Sequence, residues 1–527
     1  MSETVTARRR GRRNAARSLA CRAPDLFRNL VLAASVALVG PWAVAGRPAV
    51  AGENTAAARS LRAIQHAHEA ARREDCKSVL KHATPVLDRS GGEDLPDDIR
   101  AFAYDLVVVC AIRQGQSQRA LTYARLGSEL DASSDYLWHM RFGLLLDAEQ
   151  HEAAVETIEA MSQGRGAALN SASLDWVSSL HRALKDAGKQ EHRRRLLKVL
   201  SSEAYVPEAS YGPPDHYRLE YAIMLATAGE TDEARVMLAS IQEPATMIDA
   251  SLDSRVRQLV PADLDIRAAA EAMLAMRRDE MARHPDRLRP RLAAAGDLRM
   301  LGRPKEAIEL LQRVADRIGS PSGFEDGNET VNWWWDELGR SHSALGDYEQ
   351  AATAFGQGAA IQEGRFLNVS QLINLAHHHI RFGRAEEALK TLAAFDDPAR
   401  TTSPYGMMEM RLARACAQVV AGRPEAAEAD FAYMKEHEAD HPQALIEFYL
   451  CRRDLDEASA AIIRLLDDPE HGADALRQLS DYADPPAPLA HDPIEPQLMM
   501  LKQRADVRAA IARAGGVRRF NVQKAPL

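Results

Sequence analysis

The stretch from Asn332 to Phe355 reads NWWWDELGRSHSALGDYEQAATAF. Trp335 and Leu338 lie three apart, so they share one face of a helix. Gly339 takes away a side chain where a second helix must come close. Leu345-Gly346-Asp347 ends the first helix, because glycine enters the left-handed conformation cheaply. Ala351 and Phe355, four apart, put a small and a large side chain on a second helix facing back to the first. One such hairpin cannot bury its apolar face alone and must stack on copies of itself.

Copies are present on both sides of it. The element of turn, Ala and apolar residue recurs as Gly115 with Ala120 and Ala124, and as Gly229 with Ala234 and Leu238. It recurs again as Gly302 with Ala307 and Leu311, Gly383 with Ala388 and Leu392, and Gly422 with Ala427 and Phe431. Weaker copies centre on Glu74, Glu149, Gly188 and Arg453. The stronger neighbours are spaced at roughly 34 to 44 residues, the range of helical solenoid repeats. The gap between Gly229 and Gly302 holds one degenerate copy. Strand signals are nearly absent and the abundant Ala, Leu, Glu and Arg favour helix. These readings predict an all-α protein of about ten or eleven repeats by the spacing argument.

The quoted pattern, extended to Arg365, resembles the tetratricopeptide repeat (TPR), a family of stacked helical hairpins that mostly bind other proteins. The resemblance runs over most of residues 55–480 and is fullest in the Asn332 copy. It implies a right-handed superhelical solenoid with Trp335 in the repeat's core position. It also implies a concave groove lined by the second, fifth and ninth positions of each first helix. Here those are Trp333, Asp336 and Arg340, then Ser370, Ile373 and His377 in the next repeat. Asp336 stands where the carboxylate-clamp members of the family need Lys or Asn, which argues against capture of a peptide C-terminus of that kind. An exposed Trp beside an Arg is the composition of a binding hot spot. Alternatively, Trp333 and Trp334 pack against the preceding repeat and the loop from Gly319 to Asn328.

The N-terminus is a separate object. Residues 1–28 carry eight arginines, an apolar run follows from Asn29 to Ala45, and small-x-small sites end at Ala45 and Ala51. A basic region, an apolar core and an Ala-x-Ala site describe a secretory signal. Cleavage is expected after Ala51, with Ala45 as the second choice. The alternative is an uncleaved inner-membrane anchor formed by residues 29–45, and either form puts the body outside the cytoplasm. The chain thus reads as an exported bacterial TPR-like solenoid of the periplasm or cell envelope. Residues 1–51 hold nine Arg and two acids, so removing their +7 from the whole-chain −9 leaves −16. A solenoid that acidic is a poor nucleic-acid binder.

Cys76, Cys110, Cys416 and Cys451 survive such a cleavage. An even count in an oxidising compartment invites pairing. A Cys76–Cys110 bridge would staple the N-terminal end, and Cys416–Cys451, also one repeat apart, could do likewise. The other reading is buried free thiols acting as small apolar residues.

The organisation follows: residues 1–51 as signal or anchor, 52–203 as degenerate repeats, 204–283 as weak repeats and 284–482 as the best-patterned block. Residues 483–527 form a Pro-rich tail with a last helix, roughly Gln497 to Ala514, that folds back as a cap. The loop from Gly319 to Asn328 is longer than usual, which makes it a candidate contact site.

The function expected is a protein–protein interaction scaffold or adaptor, not an enzyme, with no cofactor and a protein partner. Membrane attachment would come only through a retained N-terminal helix. An assembly factor for envelope polymers or outer-membrane complexes is a second reading. A third is a zinc peptidase, since His437-Glu438-Ala439-Asp440-His441 spells H-E-x-x-H. Its ligands would be His437 and His441, completed by Glu447 or Glu457, with Glu438 as base. Pro442 opposes it by pushing His441 out of helical geometry. In His377-His378-His379, neighbouring helical side chains diverge by about 100°. One His therefore faces the groove and the others are packed or exposed.

Overall fold

The structure is a computed structural model that describes residues 55–524, apart from 91, 208–213, 262, 321–322, 363–365, 398, 401 and 488–490. The signal and anchor readings of residues 1–51 lie outside the described residues. Every regular element among the described residues is a helix, and Asp481 and Arg519 form an isolated parallel β-bridge. No described helix is long and apolar enough to cross a membrane. The chain divides into two compact units between Ser210 and Tyr211.

The first unit stacks four hairpins. They pair Ala56–Arg72 with Cys76–Ser90, Asp97–Arg113 with Ser117–Ser128, Asp135–Asp147 with His151–Gly164, and Leu174–Asp186 with Gln190–Leu200. The second unit begins with Asp215–Thr227 and Thr231–Ala239. The degenerate copy follows as Pro244–Leu252 and Ile266–Arg283, joined by a long connection where the other hairpins have a tight turn. Four better-patterned hairpins come next: Arg289–Met300 with Pro304–Gln312, Gly327–Ala344 with Tyr348–Ala360, Val369–Arg381 with Ala385–Leu392, and Pro404–Val420 with Glu428–Glu436. The last full hairpin is Pro442–Cys451 with Leu455–Asp467, followed by the single helix Gly472–Leu479.

Each inter-helix turn read from the sequence holds a residue with left-handed backbone, the weak copies included. The glycines are Gly115, Gly188, Gly229, Gly302, Gly346, Gly383 and Gly422, while Glu74, Glu149 and Arg453 sit at φ of 58°, 57° and 61°. The reason is the cap: in the turn at Gly383, the Gly383 N–H donates to the Ile380 carbonyl and the Arg384 N–H to the His379 carbonyl. A side chain at such a φ costs about 1–2 kcal/mol, and glycine gives part of that back to unfolded-chain entropy. Glu74→Gly, Glu149→Gly and Arg453→Gly are each expected to stabilise by about 0.5–1 kcal/mol. A rise in the urea midpoint at constant m-value would register it, and a fall would show that the side chains do something the turn needs.

Two disulfides cross between neighbouring hairpins. Cys76, which opens a second helix, is bonded to Cys110 in the next first helix, with Cα atoms 4.9 Å apart. Cys416 and Cys451, on consecutive first helices, are bonded with Cα atoms 5.8 Å apart. Each closes a loop of one repeat, which restricts the unfolded chain by about 2–4 kcal/mol. Cys76→Ala/Cys110→Ala is expected to destabilise the first unit by about that amount. Comparing its urea melt with wild type, under oxidising and then reducing conditions, checks this, because reduction should erase most of the difference.

In the second unit, first helices pack on the first helices of the next hairpin from Arg289–Met300 through to Pro442–Cys451, while the second helices barely meet one another. The row in close contact is the inside of the curve, so the first helices line the concave face. The far end caps itself. The sequence suggests one last helix, but two form, Glu495–Gln503 and Ala505–Ala514, separated at Arg504, whose backbone is extended. The second packs on Leu455–Asp467. The unit's beginning also meets its end: Pro244–Leu252 packs on Gly472–Leu479, and Asp249 pairs with Arg477 at 2.9 Å.

Candidate functional site

The three consecutive tryptophans separate cleanly. Trp333 is 36% exposed, Trp334 is 2% exposed, and Trp335 is partly buried. The core position assigned to Trp335 therefore needs correcting. The helix starts at Gly327, and Trp334, one turn before Leu338, is the residue that points at the preceding hairpin. Its Nε1–H donates to the Leu311 carbonyl at 3.2 Å. Trp335 stands edge-on to it and lies against the second helix of its own hairpin, where Gly358 leaves room for it. Gly339 makes the close approach the sequence requires: a Cβ there would lie 2.8 Å from the Phe355 ring.

On the concave face the next side chains form a continuous polar wall. Asp336, 2% exposed, accepts from Arg340 Nε at 2.6 Å and from Asn374 Nδ2 at 2.7 Å. Ile373 does not face the groove; it lies in an apolar cluster with Ala376, Ile380 and Met410. The groove position falls one residue later, on Asn374, because the first helix there begins at Val369 and carries its apolar stripe through Ile373. Ser370 is half-buried near the start of the same helix.

His377 leads on into the next two hairpins. Its Nε2 donates to Glu409 Oε2 at 3.0 Å, and His441 Nε2 donates to Glu409 Oε1 at 2.8 Å. Two imidazoles thus grip both oxygens of one carboxylate across three hairpins. Burial pushes Glu409 up, but the hydrogen bonds from His377 and His441 outweigh it and hold the carboxylate well below its usual range. For His377, burial works against the charged ring, and the Glu409 hydrogen bond and charge prevail and raise it. Glu447, buried behind this clamp, is pushed up to about 7 by burial and by the charge of Glu409. Tyr405, 56% exposed, lies tilted beside His441 with ring centroids 4.7 Å apart. Sequence reasoning missed Asn374, Tyr405, Glu409 and this role of His441. The signal was present: His377, Glu409 and His441 recur at an interval of 32 residues, one polar residue per hairpin.

The other histidines of the run are buried, His378 at 2% and His379 at 7% exposure. His378 bridges Ser343 Oγ and the Tyr348 carbonyl, and His379 meets Tyr348 OH. Burial lowers both to about 4, so they are neutral packing groups.

The zinc arrangement does not assemble. The helix Glu428–Glu436 ends before His437, residues 438–440 form a 3₁₀ turn, and His441 is extended at φ −165° ahead of Pro442. His437 stacks on Tyr433 and pairs with Asp440 at 3.3 Å, away from the Glu409 partner of His441. Glu457 sits in the first turn of Leu455–Asp467, its N–H capped by Asp454. Among the described residues, no group of three or more His, Cys, Asp and Glu is placed to hold a metal ion. The loop near residue 323 is tied to the preceding hairpin. Arg317 donates to the Gly323 carbonyl, and Asp326 accepts from the N–H groups of Leu288 and Arg289.

Stacked two-helix repeats, left-handed inter-helix turns and a polar concave wall define a TPR-like helical solenoid. No protein-family model matches the sequence, and no curated protein matches it. Similar solved structures include an APC/C hetero-tetramer, Cut9-Hcn1. It is 12% identical over 87% of this chain and 96% of that one, with a TM-score of 0.27. Naa15/Naa10 bound to HypK-THB is 12% identical over 86% and 96%, with a TM-score of 0.21. The TPR domain of P58(IPK) is 14% identical over 69% and 98%, with a TM-score of 0.18. All three likenesses are distant.

Proposed function

We propose that the chain is an interaction scaffold that holds a segment of a protein partner along the concave face of the hairpins between Gly327 and Cys451. The observation that carries this reading is the polar wall from Asp336 to His441, contributed by three successive first helices and the residue that precedes the fourth, and flanked by the exposed aromatics Trp333 and Tyr405. Charged groups there are already paired and fixed, so a partner meets a pre-formed surface, which lowers the ordering cost of binding. Aromatics beside such groups supply the desolvated contacts that dominate affinity. The compartment that suits this scaffold is the periplasm or cell envelope. Two disulfides and the Arg-rich, apolar, Ala-x-Ala N-terminus both favour an oxidising, exported setting.

The test is a crosslinked pull-down of the tagged protein from its own cells, wild type beside Trp333→Ala/Tyr405→Ala. Both side chains are exposed, so the fold should survive, which circular dichroism checks. The expected result is a defined protein partner whose capture falls about tenfold or more in the variant, the loss of two hot-spot contacts. Capture unchanged in the folded variant would remove the concave face as the site.

A further inference from the structure

The extended segment that follows Ala505–Ala514 runs without helix into the core of the second unit. It leaves the helix Ala505–Ala514 through Gly515 and Gly516, both left-handed at φ 114° and 89°. It then pairs in parallel with residues 481–483. The Asp481 N–H donates to the Arg518 carbonyl at 2.8 Å, Phe520 N–H to Asp481 at 2.8 Å, and Ala483 N–H to Val522 at 3.0 Å. The Gln523 N–H reaches the Met300 carbonyl at 2.7 Å. Side chains alternate as a strand requires. Phe520 and Val522 are 5% and 1% exposed inside the core, while Arg519 and Asn521 face out. Two residues on, Lys524 Nζ donates to the Gln478 carbonyl at 3.4 Å, with Glu495, Glu447 and Asp492 around it.

We infer that this slot is a second docking site, built to take an extended segment of a partner protein with the alternation apolar-x-apolar-x-basic, and that residues 518–524 occupy it as an internal ligand. The slot offers what strand addition needs: backbone donors and acceptors on residues 481 and 483, an apolar trough, and an acidic end. The occupant hangs on a two-glycine joint and belongs to no helix, so it can leave without breaking one. The Lys524 end of the slot abuts Glu447 behind the polar wall, but the proposal does not depend on a partner binding at that wall.

The experiment uses the full chain with a protease site inserted between Gly516 and Val517. Before cutting, a fluorescent peptide Arg-Arg-Phe-Asn-Val-Gln-Lys should not bind. After cutting, it should exchange into the slot, and an unrelated peptide with the same alternation should compete. A peptide carrying Phe520→Ala and Val522→Ala should bind about tenfold or more weakly, since both side chains are fully buried. A scrambled peptide should fail. Three results overturn the proposal. The cut protein keeps its circular dichroism and takes no peptide; it unfolds on cutting, which makes the segment ordinary core; or the intact chain dimerises with concentration through this segment, which gives the slot to a second copy.

Discussion

Trp334→Ala is expected to cost the second unit about 3–5 kcal/mol, while Trp333→Ala, one residue away, changes stability by no more than about 0.5 kcal/mol. The contrast comes from direction. Neighbouring side chains on a helix diverge by about 100°, so three consecutive tryptophans must see three environments. Trp334 is sealed against the preceding hairpin among Leu311, Leu338 and Ala307, and its indole N–H satisfies the Leu311 carbonyl. Truncation removes a large buried apolar side chain at that junction, opens a cavity, and loses the indole hydrogen bond to the Leu311 carbonyl. In a solenoid each hairpin touches only its neighbours, so damage at one junction uncouples the two sides. Trp334→Ala should therefore also lower the urea m-value if the repeats on either side begin to melt separately. Urea unfolding followed by circular dichroism decides the matter. A Trp333 variant as unstable as the Trp334 variant would mean that the helix is rotated to turn Trp333 into the junction.

The same rotation explains what was legible in the sequence. The turns were readable because one chemical requirement, a left-handed residue, repeats at a fixed phase. Even Glu74, Glu149 and Arg453 gave themselves away by position. Cys76–Cys110 and Cys416–Cys451 lie about one repeat apart, and stacking brings such positions together. The facing of individual side chains was harder. Helix ends drift by a residue or two between copies, and a shift of one residue turns a side chain by about 100°. That is why Trp335 stood in for Trp334 and Ile373 for Asn374. The clamp was hidden for another reason. Its members sit on three separate hairpins, and His441 was absorbed into a local H-E-x-x-H pattern that Pro442 prevents from becoming helical.

Glu409→Ala is expected to destabilise the second unit by about 3–5 kcal/mol, because it leaves two half-buried imidazoles without their shared acceptor. The loss should depend on pH in a definite sense. Glu409 is held below its ordinary 4.5, so its contribution is present above about 4.5 and is lost as pH falls through the folded value. His377 is raised above 6.5, so its contribution is present below about 6.5 and is lost as pH rises through the folded value. The clamp is therefore strongest between about pH 4.5 and 6.5. Glu447 works against the clamp from about pH 4.5 up to about 7, because its folded value lies above its ordinary 4.5. Its carboxyl, pushed up to about 7, ionises in a buried site as pH rises and is opposed by the Glu409 charge. Removing Glu409 relieves that opposition, so the difference between wild type and variant should shrink towards pH 9. His378 and His379, lowered to about 4, pull the whole-protein curve the other way, since their stabilisation is lost as pH falls from about 6.5 towards 4. They are common to both proteins and cancel in the comparison. Urea unfolding of the pair at pH 5.5, 7 and 9 gives the answer, and a difference constant across that range would mean that Glu409 is held by packing instead of charge. A clamp strongest in weak acid would also tie the shape of the concave face to pH, because the three hairpins it spans are the ones that carry Tyr405 and the groove histidines.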